Sequence, residues 1–201
     1  VAGDVTGNIT EGTTLTDNGS MTFTDVDLTD RPVATEATAT VTALQQDGVT
    51  PLVLSAAQQL AIENAFTITN VAGNTNDGTV TWDYTILETA LDFLGEGEQV
   101  TAVFTVTVTD DQLAIATQNV TITITGANDE VLVIAADANG AVVEDVTPQA
   151  LGTVDFTDVD LTDDHSVSAA LASTDYPTSM GSFSVVETTD TTGTGTGGVV
   201  S

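Results

Sequence analysis

The chain has 201 residues, of which 30 are acidic and a single one, Arg31, is basic, leaving a formal net charge of −29 with no lysine and no cysteine. Nucleic acids and anionic membrane surfaces draw their affinity from Lys and Arg, so both are excluded as partners, and disulfides and thiolate metal sites are impossible. With 41% apolar residues and a mean hydropathy of +0.18 the chain is too hydrophobic for a solvated acidic tail and is expected to fold.

Apolar residues are mostly small or β-branched and aromatics make up only 4%, which predicts a thin core between Thr/Val-rich strands. In chain order, strands are predicted at Met21–Thr24 and Ala37–Ala43. Ser55–Ala65 breaks the pattern with good helix formers behind a Ser N-cap, and reads as a short surface helix. Strands follow at Phe66–Thr69 and Thr79–Ile86, with turns at Asn74–Gly78 and Gly95–Gly97. Gln99–Thr109 alternates Ala102, Phe104, Val106 and Val108 with threonines, and Gln118–Thr125 does the same with Val120, Ile122 and Ile124. That period of two belongs to half-buried antiparallel strands. Val131–Ile134 is the last candidate strand. No apolar run approaches the ~20 residues of a membrane span, so direct membrane insertion is not expected. The start at Val1 without a methionine predicts a processed or excised piece.

The octamer FTDVDLTD occurs at Phe23–Asp30 and again, letter for letter, at Phe156–Asp163, an offset of 133. The ungapped match also pairs Asp4 with Asp137, Gly7 with Gly140, Glu11 with Glu144 and Gly19 with Gly152, making 14 of 29 positions identical over Ala2–Asp30. A period of this length is that of a whole domain, which predicts tandem globular modules. The second copy lacks counterparts of Gln99–Thr109 and Gln118–Thr125, so residues 1–129 are expected to form a complete module and 130–201 the first part of another.

The acidic residues fall in clusters at loop positions: Glu11; Asp25 and Asp27 with Asp30 behind; Glu96 and Glu98; Asp110 and Asp111; Asn128, Asp129 and Glu130. Calcium takes six to eight oxygens from flexible loops, and D-x-D spacing on extended backbone aims two carboxylates the same way. Carboxylates crowded without cations repel one another, so a divalent ion is their natural counter-charge. The competing reading is a solvated acidic surface serving solubility.

FTDVDLTD, LDFLGEGEQVTAVFTVTVTDD and VTITITGANDE together resemble the VCBS repeat of RTX-type bacterial surface adhesins, and beneath it the cadherin-like domains. The resemblance implies an all-β fold of tandem cadherin-like or immunoglobulin-like β-sandwich modules. It also implies calcium (Ca2+) ligands at Glu11, Asp25, Asp27, Glu96, Glu98, Asp110, Asn128 and Asp129, and at Glu144, Asp158 and Asp160 of the second copy. By that resemblance the ions of one junction are held by Glu11, Glu96, Glu98, Asn128 and Asp129 with the downstream Asp158 and Asp160. The function implied is that of a calcium-rigidified extracellular extender in a secreted adhesin or surface filament, mediating cell adhesion or biofilm matrix assembly. Its partners are adjacent modules or neighbouring copies. The alternative is a calcium-dependent carbohydrate-binding module that engages cell-surface glycans.

Enzymatic candidates are weak. His165 is the only histidine and its counterpart in the first copy is Pro32, so it reads as a solvated loop residue. No G-x-S-x-G elbow is present. Trp82, Tyr84 and Tyr176 are the only Trp and Tyr, too few for a sugar-cleaving platform, and Trp82 and Tyr84 read as packing residues. The Gly/Thr run Thr191–Gly198 has no lysine and reads as a loop, not a phosphate cradle.

Overall fold

A computed structural model describes residues 2–70, 76–137, 139–175 and 181–201. The chain divides into two compact units, Val1–Ala127 and Asn128–Ser201.

The first unit contains two four-stranded sheets. One is built from β1 (Ala2–Gly3), β3 (Thr16–Phe23), β5 (Phe66–Asn70) and β6 (Gly78–Thr85), in the order β1-β3-β6-β5. The other is built from β2 (Thr6–Thr10), β4 (Val33–Leu44), β7 (Gln99–Thr109) and β8 (Ile115–Thr125), in the order β2-β8-β7-β4. Its β2–β8 pair runs parallel, whereas β7 pairs antiparallel with both β4 and β8. The helix α1 (Ala56–Asn64) lies between β4 and β5, and a short 3-10 turn covers Glu88–Ala90.

Alternation decides which side chains go inside. On β7 Val100, Ala102, Phe104, Val106 and Val108 are buried, and on β8 Val120, Ile122 and Ile124, while the intervening positions are half-exposed or exposed. From the other sheet Val80, Trp82, Tyr84 and Phe66 enter the same core. Phe66 stacks on Phe104 with ring centroids 4.2 Å apart, and Trp82 lies 6.1 Å from Phe66. Buried polar groups of these aromatics are satisfied: Trp82 Nε1 donates to the Asp4 carbonyl at 2.7 Å, and the Tyr84 hydroxyl donates to the Ile62 carbonyl at 3.2 Å. At the end of the core near β4, the Asn70 side chain accepts from the Ala34 amide at 3.1 Å and donates to its carbonyl at 3.2 Å. This clamp fixes the start of β4, and with it the acidic loop that precedes it.

In the second unit β9 (Leu132–Ala136), β10 (Val154–Thr157), β11 (Glu187–Thr189) and β12 (Gly198–Val200) form one sheet, in the order β11-β12-β10-β9. Every residue of β9 is exposed, and Phe156 on β10 is buried over Gly198, where a Cβ would meet the ring at 2.4 Å.

These findings correct the expected fold. Over the described residues the chain is mixed α/β, with an α-helix, three open sheets and a parallel strand pair. It is not a tandem of closed all-β cadherin-like or immunoglobulin-like sandwiches, and the likeness to the VCBS repeat does not hold at the level of architecture. The physical reason is that a period-two pattern specifies a strand and its inward face, but neither its neighbour nor whether the sheet closes. In the second unit the repeated sequence builds a single sheet of short strands, so the sequence repeat does not carry a repeated sandwich. The expected helix is present with a full capping box, Ser55 Oγ accepting from the Gln58 amide and Gln58 Oε1 accepting from the Ser55 amide. The predicted turn at Asn74–Gly78 lies partly outside the described residues.

Candidate metal centre

The first octapeptide leaves β3 and turns sharply before β4. The Asp27 amide donates to Asp25 Oδ1 at 2.9 Å, and the Asp30 amide donates to the Asp27 carbonyl at 3.0 Å. Asn76 Nδ2 holds the Asp25 carbonyl at 2.7 Å. The turn brings one carboxylate oxygen from each of Asp25, Asp27 and Asp30 within 4.8 Å of one another. Asp27 is exposed, Asp25 half-buried and Asp30 buried, so the group opens to solvent on one side.

Electrostatically this group lacks a counter-charge. Arg31, the one basic residue, spends its Nη1 on the carbonyls of Thr29 and Asp30, at 2.8 and 2.6 Å. Among the described residues the ion pairs are those of His165 in the second unit. Burial raises the Asp30 carboxyl above its usual range, and the charges of Asp25, Asp27, Asp110 and Asp111 push it the same way. Gln112, with its amide nitrogen turned toward the cluster, donates to both oxygens of Asp30, at 3.1 Å to Oδ1 and more closely to Oδ2. Three converging carboxylates met by neutral donors, the Asp27 amide on Asp25 and Gln112 on Asp30, form an oxygen-only group that can take a generic cation.

The other expected ligands are placed as follows. Asp110 turns its Oδ1 to the amides of Gln112 and Ala114, at 2.9 and 2.8 Å, and so shapes the β7–β8 loop, where Leu113 takes a positive φ of 70°. Glu11 is buried, with Oε2 accepting from the Ala127 amide at 2.9 Å, and Glu98 is buried, with Oε2 accepting from the Gly95 amide at 3.1 Å. Glu96 is exposed. In the second unit Asn128 donates its side-chain amide to the Asp129 carbonyl, and the Asp129 amide donates to Asp160 Oδ2 at 2.8 Å. Glu144, the counterpart of Glu11, is exposed in a turn closed by Val143 and Thr147. Asp158 and Asp160 are buried, but Asp158 Oδ2 is taken by His165 Nε2 at 2.9 Å. Among the described residues, Glu144, Asp158 and Asp160 belong to no group of three converging ligand atoms.

Sequence reasoning missed two participants. Gln112 carries no signal of its own, because a neutral amide in a loop is unremarked until the fold sets it against Asp30. His165, read as a solvated loop residue, is instead largely buried between two carboxylates. It stands just past the repeated octapeptide, where the copies diverge and Arg31 and Pro32 of the first are replaced by Asp164 and His165 in the second. Trp82 and Tyr84 are fully buried, and Tyr176 lies outside the described residues. Among the described residues no helix is long and apolar enough to cross a membrane. No protein-family model matches the chain, and no curated protein matches it.

Proposed function

We propose that the chain is a calcium-stabilised structural segment of an extracellular or bacterial cell-surface protein, an extender that spaces a cell-adhesive or matrix-forming surface. The convergence of Asp25, Asp27 and Asp30 without a basic partner is the observation that carries this reading. Carboxylates are hard oxygen donors that favour calcium and magnesium over thiophilic metals, and a solvent-open group on a loop suits calcium's flexible coordination. A protein without cysteine has no disulfides to stiffen it outside the cell, and bound divalent ions supply an alternative cross-link. In this reading the segment carries no reaction of its own, and its partners are neighbouring segments or neighbouring copies.

Calcium titration with thermal unfolding tests it. Calcium is expected to raise the melting temperature of the wild type, with a Kd on the order of 10⁻⁴ to 10⁻³ M, and to leave the triple substitution Asp25→Asn, Asp27→Asn, Asp30→Asn unaffected. A wild type indifferent to calcium and chelator overturns the reading. Glycan recognition, the competing function, has little support, because Trp82 and Tyr84 are buried and cannot stack on a sugar. An array of immobilised glycans, probed with calcium and with chelator, is expected to retain none of the protein.

A further inference from the structure

The second copy of FTDVDLTD, Phe156–Asp163, meets a different electrostatic solution. His165 sits between two carboxylates: its Nε2 is 2.9 Å from Asp158 Oδ2 and its Nδ1 is 2.6 Å from Asp190 Oδ1. An ionised carboxylate can only accept hydrogen bonds, and a neutral imidazole donates from one nitrogen alone. With Asp158 and Asp190 both ionised, two short contacts to two carboxylates are satisfied together only when both ring nitrogens carry protons, which makes the ring a cation.

The surroundings are built to hold it there. Asp190 Oδ1 also accepts from the Thr191 amide at 2.7 Å, while its Oδ2 accepts from Thr192 Oγ1 at 2.9 Å and from the His165 amide at 3.3 Å. The ring packs at 5.0 Å from Phe156, the first residue of the octapeptide. Other ionisable groups bearing on this site are acidic: Asp163 and Asp160 from the octapeptide, and Asp164, whose Oδ1 lies 3.3 Å from Thr192 Oγ1. In the first copy the position of His165 is Pro32, which has neither a charge nor a backbone N–H.

We propose that His165 is the built-in counter-cation of Asp158 in the second acidic loop, joining it to Asp190 where the first loop would use a divalent ion. For its contrast with the first loop the proposal rests on the cation reading of Asp25, Asp27 and Asp30. One sequence repeated letter for letter thus has two charge solutions, an external cation in one copy and an imidazolium in the other. The mechanical consequence is that the second loop stays closed on the Asp190–Thr192 segment when calcium is withdrawn.

Because His165 is the only histidine and Arg31 the only arginine, one nuclear magnetic resonance sample of the full chain reads both loops. At neutral pH both ring nitrogens of His165 are expected to be protonated, and calcium chloride up to about 10 mM, tenfold above the weak end of extracellular sites, is expected to leave the ring signals unmoved. The Arg31 side-chain signal, beside Asp30, is expected to shift over the same titration. A ring with one unprotonated nitrogen overturns the proposal, and so does a calcium-dependent shift of the His165 signals. An unmoved Arg31 beside a doubly protonated, calcium-insensitive His165 sinks the cation reading of the first loop and supports the assignment of the second. The variant Asp190→Asn, which removes one carboxylate and keeps the side-chain shape, is expected to move the His165 titration midpoint to lower pH. An unchanged midpoint counts against the bridge.

Discussion

Phe66 on β5 and Phe104 on β7 belong to different sheets, yet their rings stack at 4.2 Å and 7° from parallel. Tyr84 and Trp82 flank this stack at 6.3 Å from Phe104 and 6.1 Å from Phe66, so four aromatics form one continuous contact through a core made mostly of aliphatic side chains. In a chain with so few aromatics, the stack concentrates much of the inter-sheet packing. Phe104→Ala is expected to cost about 3–5 kcal/mol, from lost transfer free energy plus the cavity left behind. Urea unfolding followed by Trp82 fluorescence measures it, and a loss below about 1 kcal/mol would show that the sheets are held elsewhere.

Gly19 faces Trp82 across the β3–β6 pair, and a Cβ at Gly19 would come within 2.7 Å of the indole. The ring cannot retreat, being fully buried with its Nε1 bonded to Asp4. Gly19→Ala is therefore expected to destabilise the first unit by about 1–3 kcal/mol through overpacking. A shifted Trp82 emission maximum in the folded variant would report the displaced ring.

Ser55 caps α1 on both sides of a reciprocal pair with Gln58. Losing the hydroxyl leaves an amide of the first helical turn without its acceptor, so Ser55→Ala is expected to cost about 1 kcal/mol, whereas Ser55→Asp, which restores a cap oxygen at the positive helix end, is expected to recover most of it. Equilibrium denaturation of the two variants checks the ordering.

The pH dependence of the calcium-free protein follows from which groups gain protons on folding. Burial opposes protonation of His165, but its hydrogen bonds to Asp158 and Asp190 and their charges prevail, so its pKa lies above the usual 6.5. Its contribution to stability is full below that usual value and is lost as pH rises through the folded one. Burial pushes Asp160 up to about 7, against the Asp129 amide bond and with the help of Asp163, Asp158 and Asp129, and raises Asp163 and Asp30 as well. These carboxyls also bind more protons folded than unfolded, so stability falls as pH rises from the ordinary carboxylate range toward neutrality. Asp190 works in the opposite sense: burial raises its pKa, but the bonds from His165, Thr191 and Thr192 outweigh this and hold it at about 2. Its contribution is lost only as pH falls through that value. In chelator the protein is expected to melt at a higher temperature near pH 5 than near pH 8.

With calcium in excess the first loop reverses that sign, because a bound cation holds its carboxylates ionised and protons compete with it. The stabilisation added by calcium is expected to shrink as pH falls from about 7 to about 5. Paired melting curves with calcium and with chelator across that range measure the difference. A constant increment would mean that calcium does not act through carboxylates.

Local structure was legible in the sequence wherever short-range physics decides it. The alternation of Gln99–Thr109 set both the extent of β7 and its inward residues, and Ser55 with Gln58 set the start of α1. The acidic turn at Asp25, Asp27 and Asp30 was visible as a cluster because D-x-D spacing acts over a few residues. What tertiary structure decided was everything that depends on partners distant in sequence. The parallel pairing of β2 with β8, the openness of the sheets and the single sheet of the second unit all rest on choices between strands with similar alternation. The same limit separates the two octapeptides, identical over eight residues: Asp25 and Asp158 differ in charge environment because Gln112 is brought near Asp30 in one, while His165, itself held by Asp190, meets Asp158 in the other. A carboxylate's local sequence states that it carries a charge, and only the groups folded around it determine what neutralises that charge.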